Sequence, residues 1–289
     1  MNDQAARLRR MIEDRRPITD IKDDTKASPK LGKSADNKGP RTIAITSGKG
    51  GVGKTNLTVN LAIALGNMGK RVIIIDADMG MANVDILLGT SSRINLMSLL
   101  EADVTLEDVL LRGPYGVSYI SGGSGMEHAM ELTPEEHDIL FEKLTACEEW
   151  ADIVLIDTGA GIGGNVLDFI VAADEVLLIT TPEPTSLTDA YAVMKGYSTI
   201  AEHPNLKLIV NRVIDEPEIR EVVGTLSRTA ERFLKISVEC LGYIYDDQMM
   251  IKSVRKQIPV MAGHPDAVSS RCIASIARGL LNGQQEKVK

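Results

Sequence analysis

The sequence predicts an α/β fold: a mainly parallel sheet with helices on both faces. Three observations predict it. Seven short apolar runs recur along the chain, stretches long enough for crossover helices separate them, and a glycine-rich loop follows the first run. The runs are Thr42–Thr46, Val72–Asp76, Val117–Ser121, Ile153–Asp157, Val176–Thr180, Leu206–Asn211 and Leu241–Tyr245. Most are continuously apolar, which suits strands covered on both faces and joined by right-handed crossovers. Ligands in such sheets sit at the carboxyl ends of strands, and every motif discussed below lies at such an end.

With 289 residues and 44% apolar content, the chain can bury a large core. No apolar run reaches the roughly 18 residues that cross a bilayer, and the first residues lack a signal-peptide core. A soluble, cytoplasmic protein is the expectation. Cys147, Cys240 and Cys272 are far apart and form no CxxC pair, so they read as structural thiols. The net charge of −8 is uneven: residues 1–40 carry ten Lys/Arg against seven Asp/Glu, which leaves an acidic body. Such a body repels phosphate backbones over most approaches, and no nucleic-acid partner is expected.

Residues 2–16 read as a short helix with Ala5, Leu8 and Ile12 on one face, arginines around it and Pro17 closing it. Residues 17–40 are too polar to offset the entropy of ordering and read as a flexible linker. One ATPase-sized domain is expected over 41–281, followed by a polar tail at 282–289.

The segment Gly48-Lys49-Gly50-Gly51-Val52-Gly53-Lys54-Thr55 fits G-x-x-x-x-G-K-[ST] between a strand and a helix that continues through Asn56 and Leu57. Its glycines let successive N–H groups face phosphate oxygens, aided by the helix N-terminus. Lys54 can reach the outer phosphates of ATP and the Thr55 hydroxyl can bind Mg²⁺. Two further strand ends carry acids: Asp76-Ala77-Asp78 and Asp157, the latter followed by Thr158-Gly159-Ala160-Gly161. Carboxylates there can hold metal-bound water and polarise an attacking water. Asn211-Arg212 ends another strand, and a carboxamide can pair with a donor and an acceptor on adenine.

Lys49 is the informative extra residue. With it, the loop resembles the deviant Walker A of the MinD/ParA ATPase family, and the resemblance covers about residues 41–281. It implies an ATP-sandwiched homodimer in which Lys49 reaches the partner's nucleotide. It also implies that Asp78 positions the hydrolytic water, that Asp76 and Asp157 serve the Mg²⁺ shell with Thr55, and that Asn211 and Arg212 meet the adenine. Thr181–Tyr191 and the N-terminal Asp3-Gln4-Ala5-Ala6-Arg7-Leu8-Arg9 look like the flagellar-number regulators of that family, the FlhG (FleN) group. That likeness implies stimulation of the SRP-type GTPase FlhF, with Gln4 entering the partner's catalytic centre, and contact with other flagellar basal-body components. MinD-type division-site placement is the alternative.

The likeness weakens in two places. Tyr245 stands where many relatives have proline beside the adenine. Residues 266–281 place Val268, Cys272, Ile273, Ile276, Leu280 and Leu281 on one apolar face, with Arg271 and Arg278 as cations and no Trp or Phe. Such a helix could lie peripherally on a membrane surface or pack on the domain. An iron–sulfur carrier of the same fold is disfavoured by the missing CxxC.

Overall fold

The structure, a computed structural model, describes residues 39–79, 81–123, 132–201 and 203–282. The expected activator helix with Gln4, the linker up to residue 38 and the tail from residue 283 lie outside the described residues.

An eight-stranded sheet runs through the described chain. Its strands are β1 (Arg41–Ser47), β2 (Val72–Ala77), β3 (Leu111–Arg112), β4 (Ser118–Ile120), β5 (Ile153–Ala160), β6 (Glu175–Thr180), β7 (Leu206–Val213) and β8 (Glu239–Tyr245). The spatial order is β3-β4-β2-β5-β1-β6-β7-β8. All seven expected strands are present and every pair is parallel except β3 with β4. The two-residue β3 is too short to carry a periodic signal in sequence.

The longer helices are α1 (Lys54–Asn67), α2 (Asn83–Leu88), α3 (Pro134–Leu144), α4 (Gly164–Ala172), α5 (Pro184–Ile200), α6 (Glu216–Thr229), α7 (Gln248–Lys256) and α8 (Val268–Asn282). Alternate strand residues feed two cores. Val72 and Ile74 join α1 and α8 on one face, while Ile73 and Ile75 join α3, α4, α5 and α6 on the other. This two-residue period is the pleat expressed as packing. Helix α1 is buried nearly all round, since it lies between the sheet and α8.

Helix α8 settles where the 266–281 face goes in this structure. Ile273, Ile276, Ala277 and Leu280 are buried against α1 and β8, and a Cβ on Gly242 of β8 would lie 2.6 Å from Ile276. These four residues of the apolar face are directed into the core, while Val268 stays exposed and Cys272 and Leu281 are half-buried. No helix among the described residues is long and apolar enough to cross a membrane. Tyr245 packs edge-on against Tyr243, with ring centroids 5.3 Å apart, and faces an open groove of about 800 Å³ between α6 and α8. The three cysteines are free; Cys147 is buried and the other two partly so.

Candidate active site

The site forms at the carboxyl end of β1, which pairs in parallel with β5 on one side and with β6 on the other. The chain leaves β1 at Ser47 and enters Gly48–Gly53, with Gly51 at φ +80° and Gly53 at φ +99°. Those left-handed values favour glycine, and Gly53 caps α1. Gly48 answers a different need. A Cβ there would lie 2.2 Å from the Asp189 backbone carbonyl in α5, so the root of the loop is wedged against a neighbouring helix.

The tip of β7 grips the same loop. Asn211 Nδ2 donates to the Val52 carbonyl at 2.7 Å, and Arg212 Nη2 donates to the Gly51 carbonyl at 2.8 Å. Arg212 itself has φ +58°. The structure therefore assigns both residues a contact that the sequence did not suggest: they brace the loop's backbone.

Lys54 is buried, with Nζ 3.5 Å from Asp157 Oδ1. Thr58, one helical turn along α1, donates to the same oxygen at 3.0 Å, and Thr55 also acts on this carboxylate. Asp157 is wholly buried and its Oδ2 has no hydrogen-bond partner. Burial pushes its pKa up, while Lys54, Thr55 and Thr58 pull it down. A buried carboxylate oxygen without a donor beside a threonine hydroxyl fits the water shell of a hard cation such as Mg²⁺. Among the described residues no three His, Cys, Asp or Glu side chains form a metal cage.

Asp76 and Asp157 are register partners on adjacent strands β2 and β5, which explains their proximity. Asp76 is also fully buried; burial first, and then the Asp157 charge, raise its pKa to about 7. Its oxygens accept from the backbone N–H groups of Asp78 at 3.2 Å and Val84 at 3.1 Å. Asp78 sits further out. Its Oδ2 accepts from Asn83 Nδ2 at 2.9 Å, and a Cβ on Gly159 would lie 3.5 Å from its Oδ1.

Lys49 stands apart. Its Nζ lies 2.9 Å from Glu183 Oε2 and 3.2 Å from Thr185 Oγ1, at the start of α5, with the side chain 41% exposed. The structure thus brings Lys54, Thr55, Asp76 and Asp157 together, sets Asp78 at their rim and leaves Lys49 outside them. Thr58, Asn83 and Glu183 were missed in sequence. Thr58 was findable, being four residues beyond Lys54 and so on the same helix face; Glu183 is distant along the chain and carries no local signal.

Comparisons with known proteins bear on family and fold. Residues 40–210 match the family model described as an AAA domain. The chain is 39% identical over 238 residues to the antiactivator FleN of Pseudomonas aeruginosa, covering 82% of this chain and 85% of that protein. It is 33% identical over 288 residues to the flagellum site-determining protein YlxH of Helicobacter pylori, covering 99% and 92%. Among solved structures, the MinC:MinD cell division complex of Aquifex aeolicus superposes with a TM-score of 0.69 at 28% identity, covering 86% of this chain and 98% of that one. MinD of Pyrococcus horikoshii with Mg-ADP superposes with a TM-score of 0.68 at 27% identity, covering 86% and 100%.

Proposed function

The chain belongs to the MinD/ParA family of deviant Walker A ATPases, and on that footing we propose that this ATPase is a switch whose ATP state is a homodimer and whose hydrolysis resets it. The observation that carries the reading is the separation of the two P-loop lysines. Lys54 is buried on Asp157 within its own site, whereas Lys49 is exposed and turned toward α5. A cation displayed outside its own phosphate cradle is available to a second copy, where it would stabilise charge developing on the transferring phosphoryl group.

In this reading the backbone of Gly48–Thr55 and Asn56 wraps the phosphates, Lys54 neutralises the outer ones, and Thr55 with Asp157 and Asp76 holds the water shell of Mg²⁺. Bound there, that cation would neutralise charge on the phosphates. Asp78 orients the attacking water through its Oδ1, the oxygen that Asn83 leaves free. Asn211 keeps one amide hydrogen and one lone pair for the adenine beyond its contact with Val52, and Arg212 flanks it. Light scattering of Asp78→Ala with ATP tests the switch: a stable dimer is expected, and a persistent monomer would overturn it.

Two readings of what the switch places rest on different observations. The fold likeness favours division-site placement, since MinD structures of Aquifex aeolicus and Pyrococcus horikoshii superpose with TM-scores of 0.69 and 0.68, and the septum site-determining protein MinD of Synechocystis is 32% identical over 244 residues. The identities to FleN and YlxH favour flagellar number and placement, and the YlxH match spans almost the whole chain. The flagellar reading adds FlhF as a partner acting through Gln4, works in the cytoplasm, and allows contacts with other basal-body proteins and the inner membrane surface. GTP hydrolysis by FlhF, with and without residues 1–16, separates the two: loss of stimulation on Gln4→Ala supports the flagellar reading, and indifference supports division-site placement.

A further inference from the structure

A buried carboxylate outside the phosphate site has an arrangement that packing alone does not explain. Asp85, in the first turn of α2, is 3% exposed. Its Oδ1 accepts from the Tyr119 hydroxyl at 3.0 Å and its Oδ2 from Ser121 Oγ, both on the β4 side. Tyr119 O–H is also within 2.8 Å of Thr90 Oγ1, and Thr90 N–H donates back to the Asp85 carbonyl at 2.9 Å. Burial raises the Tyr119 pKa to about 12, which keeps the phenol neutral and able to donate. Among the described residues, Asp85 has no cationic partner. A buried carboxylate satisfied only by neutral hydroxyls is costly compared with an apolar or amide side chain of the same size.

What the carboxylate fixes is the stretch immediately before it. Asn83 donates to Asp78, Val84 N–H donates to Asp76, and Asp85 is tied to β4, so three consecutive residues connect both site carboxylates to the sheet. The same network holds the opposite wall. Ser121 is followed by Gly122, where a Cβ would lie 2.8 Å from the Asp76 carbonyl oxygen and 3.0 Å from its carboxyl carbon. Ser121 Oγ also accepts from Gly123 N–H at 3.2 Å. The peg therefore sets the position of Asp78 from one side and the wall behind Asp76 from the other.

We propose that Asp85 is a positioning residue for ATP hydrolysis: clamped by Tyr119 and Ser121, it holds the start of α2 so that Asn83 and Val84 keep Asp78 and Asp76 in place. The inference rests on the ATPase reading and deepens it. Its action is on geometry in the reacting complex, so it affects turnover more than nucleotide binding.

The test uses the full chain and steady-state ATP hydrolysis. Asp85→Asn keeps shape and removes charge; Tyr119→Phe removes one donor and leaves the core filled. Both are expected to lower kcat about ten-fold, with KM for ATP within about two-fold. In an Asn83→Ala background, Asp85→Asn is expected to add less than its full loss, because the share that passes through Asn83 is already gone and only the Val84 contact remains. A purely structural role would lower the melting temperature and leave the kcat effects multiplicative. Unchanged kcat in both variants, or losses that multiply with Asn83→Ala, would overturn the proposal. Should Asp85→Asn fail to fold, Tyr119→Phe alone decides. An inactive wild-type chain would count against the ATPase reading itself, whereas an active wild type with unaffected variants counts against the peg.

Discussion

Lys49 Nζ is 2.9 Å from Glu183 Oε2 within one chain, so any role across a dimer requires Lys49 to leave Glu183. The proximity holds the Glu183 pKa below the usual carboxylate range. Both side chains are largely exposed, and an exposed pair of this kind is weak. Glu183→Gln is therefore expected to strengthen ATP-dependent dimerisation by no more than a few-fold, whereas Lys49→Ala is expected to abolish the ATP-dependent dimer. Size-exclusion chromatography with light scattering, with and without ATP, reads both. A Glu183→Gln protein that no longer dimerises would mean that the contact supports the dimer.

Asp78→Ala is expected to lower kcat by about 10²–10⁴ while leaving ATP binding and the dimer intact. Equilibrium binding of a fluorescent ATP analogue, set beside turnover, checks the split. Weakened binding to the same degree as turnover would move Asp78 from water positioning to phosphate or metal binding.

Thr58→Val keeps the volume of the side chain and removes a donor from buried Asp157 Oδ1. Leaving a buried carboxylate short of a donor costs about 1–3 kcal/mol. Thermal unfolding of the nucleotide-free protein is expected to shift downward accordingly. An unchanged midpoint would show that Lys54 suffices for that oxygen.

Stability should also depend on pH through Asp76. Its pKa rises from 3.8 unfolded to about 7 folded, so between those values the folded state keeps a proton that the unfolded state has released. Stability then falls as pH rises through this window, by up to about 1.4 kcal/mol per pH unit, and levels off above it. The nucleotide-free protein is expected to melt higher at pH 5.5 than at pH 8, and Asp76→Asn is expected to flatten that difference. Equal slopes in the two proteins would assign the effect to other groups.

Gly48→Ala and Gly50→Ala should differ sharply. A Cβ at Gly48 meets the Asp189 backbone at 2.2 Å, while one at Gly50 meets nothing within 4 Å. Gly48→Ala is expected to unfold or strongly destabilise the nucleotide-free chain, and Gly50→Ala to leave its melting point unchanged. Circular dichroism melts compare them directly.

The contrast between these glycines shows what was legible in the sequence. The strand pattern, the loop and the three acids are local signals, and local sequence carried them: seven strands, a glycine-rich phosphate loop, and Asp76, Asp78 and Asp157 at strand ends. The pairing of Asp76 with Asp157 needed the β2–β5 register, which follows from topology. Contacts between distant segments were not legible at all. Gly48 against Asp189, Lys49 on Glu183, Asn211 on Val52 and Asp85 on Tyr119 each join residues whose neighbourhood exists only after the crossovers are packed. The amphipathic look of 266–281 left two destinations open for a related reason, since a stripe fit for a lipid surface is equally fit for the flank of α1.

Arg41 opens β1, and its guanidinium donates to the Leu280 carbonyl near the end of α8 while pairing with buried Glu175. The beginning and the end of the described body are thus stitched together at the pole of the sheet opposite the phosphate loop, a full strand length away. A chain cut back to residues 41–282 would carry a fusion partner or affinity tag at that pole and leave the nucleotide face unobstructed. Joining the two ends by a short peptide and opening the chain elsewhere should give a circularly permuted ATPase.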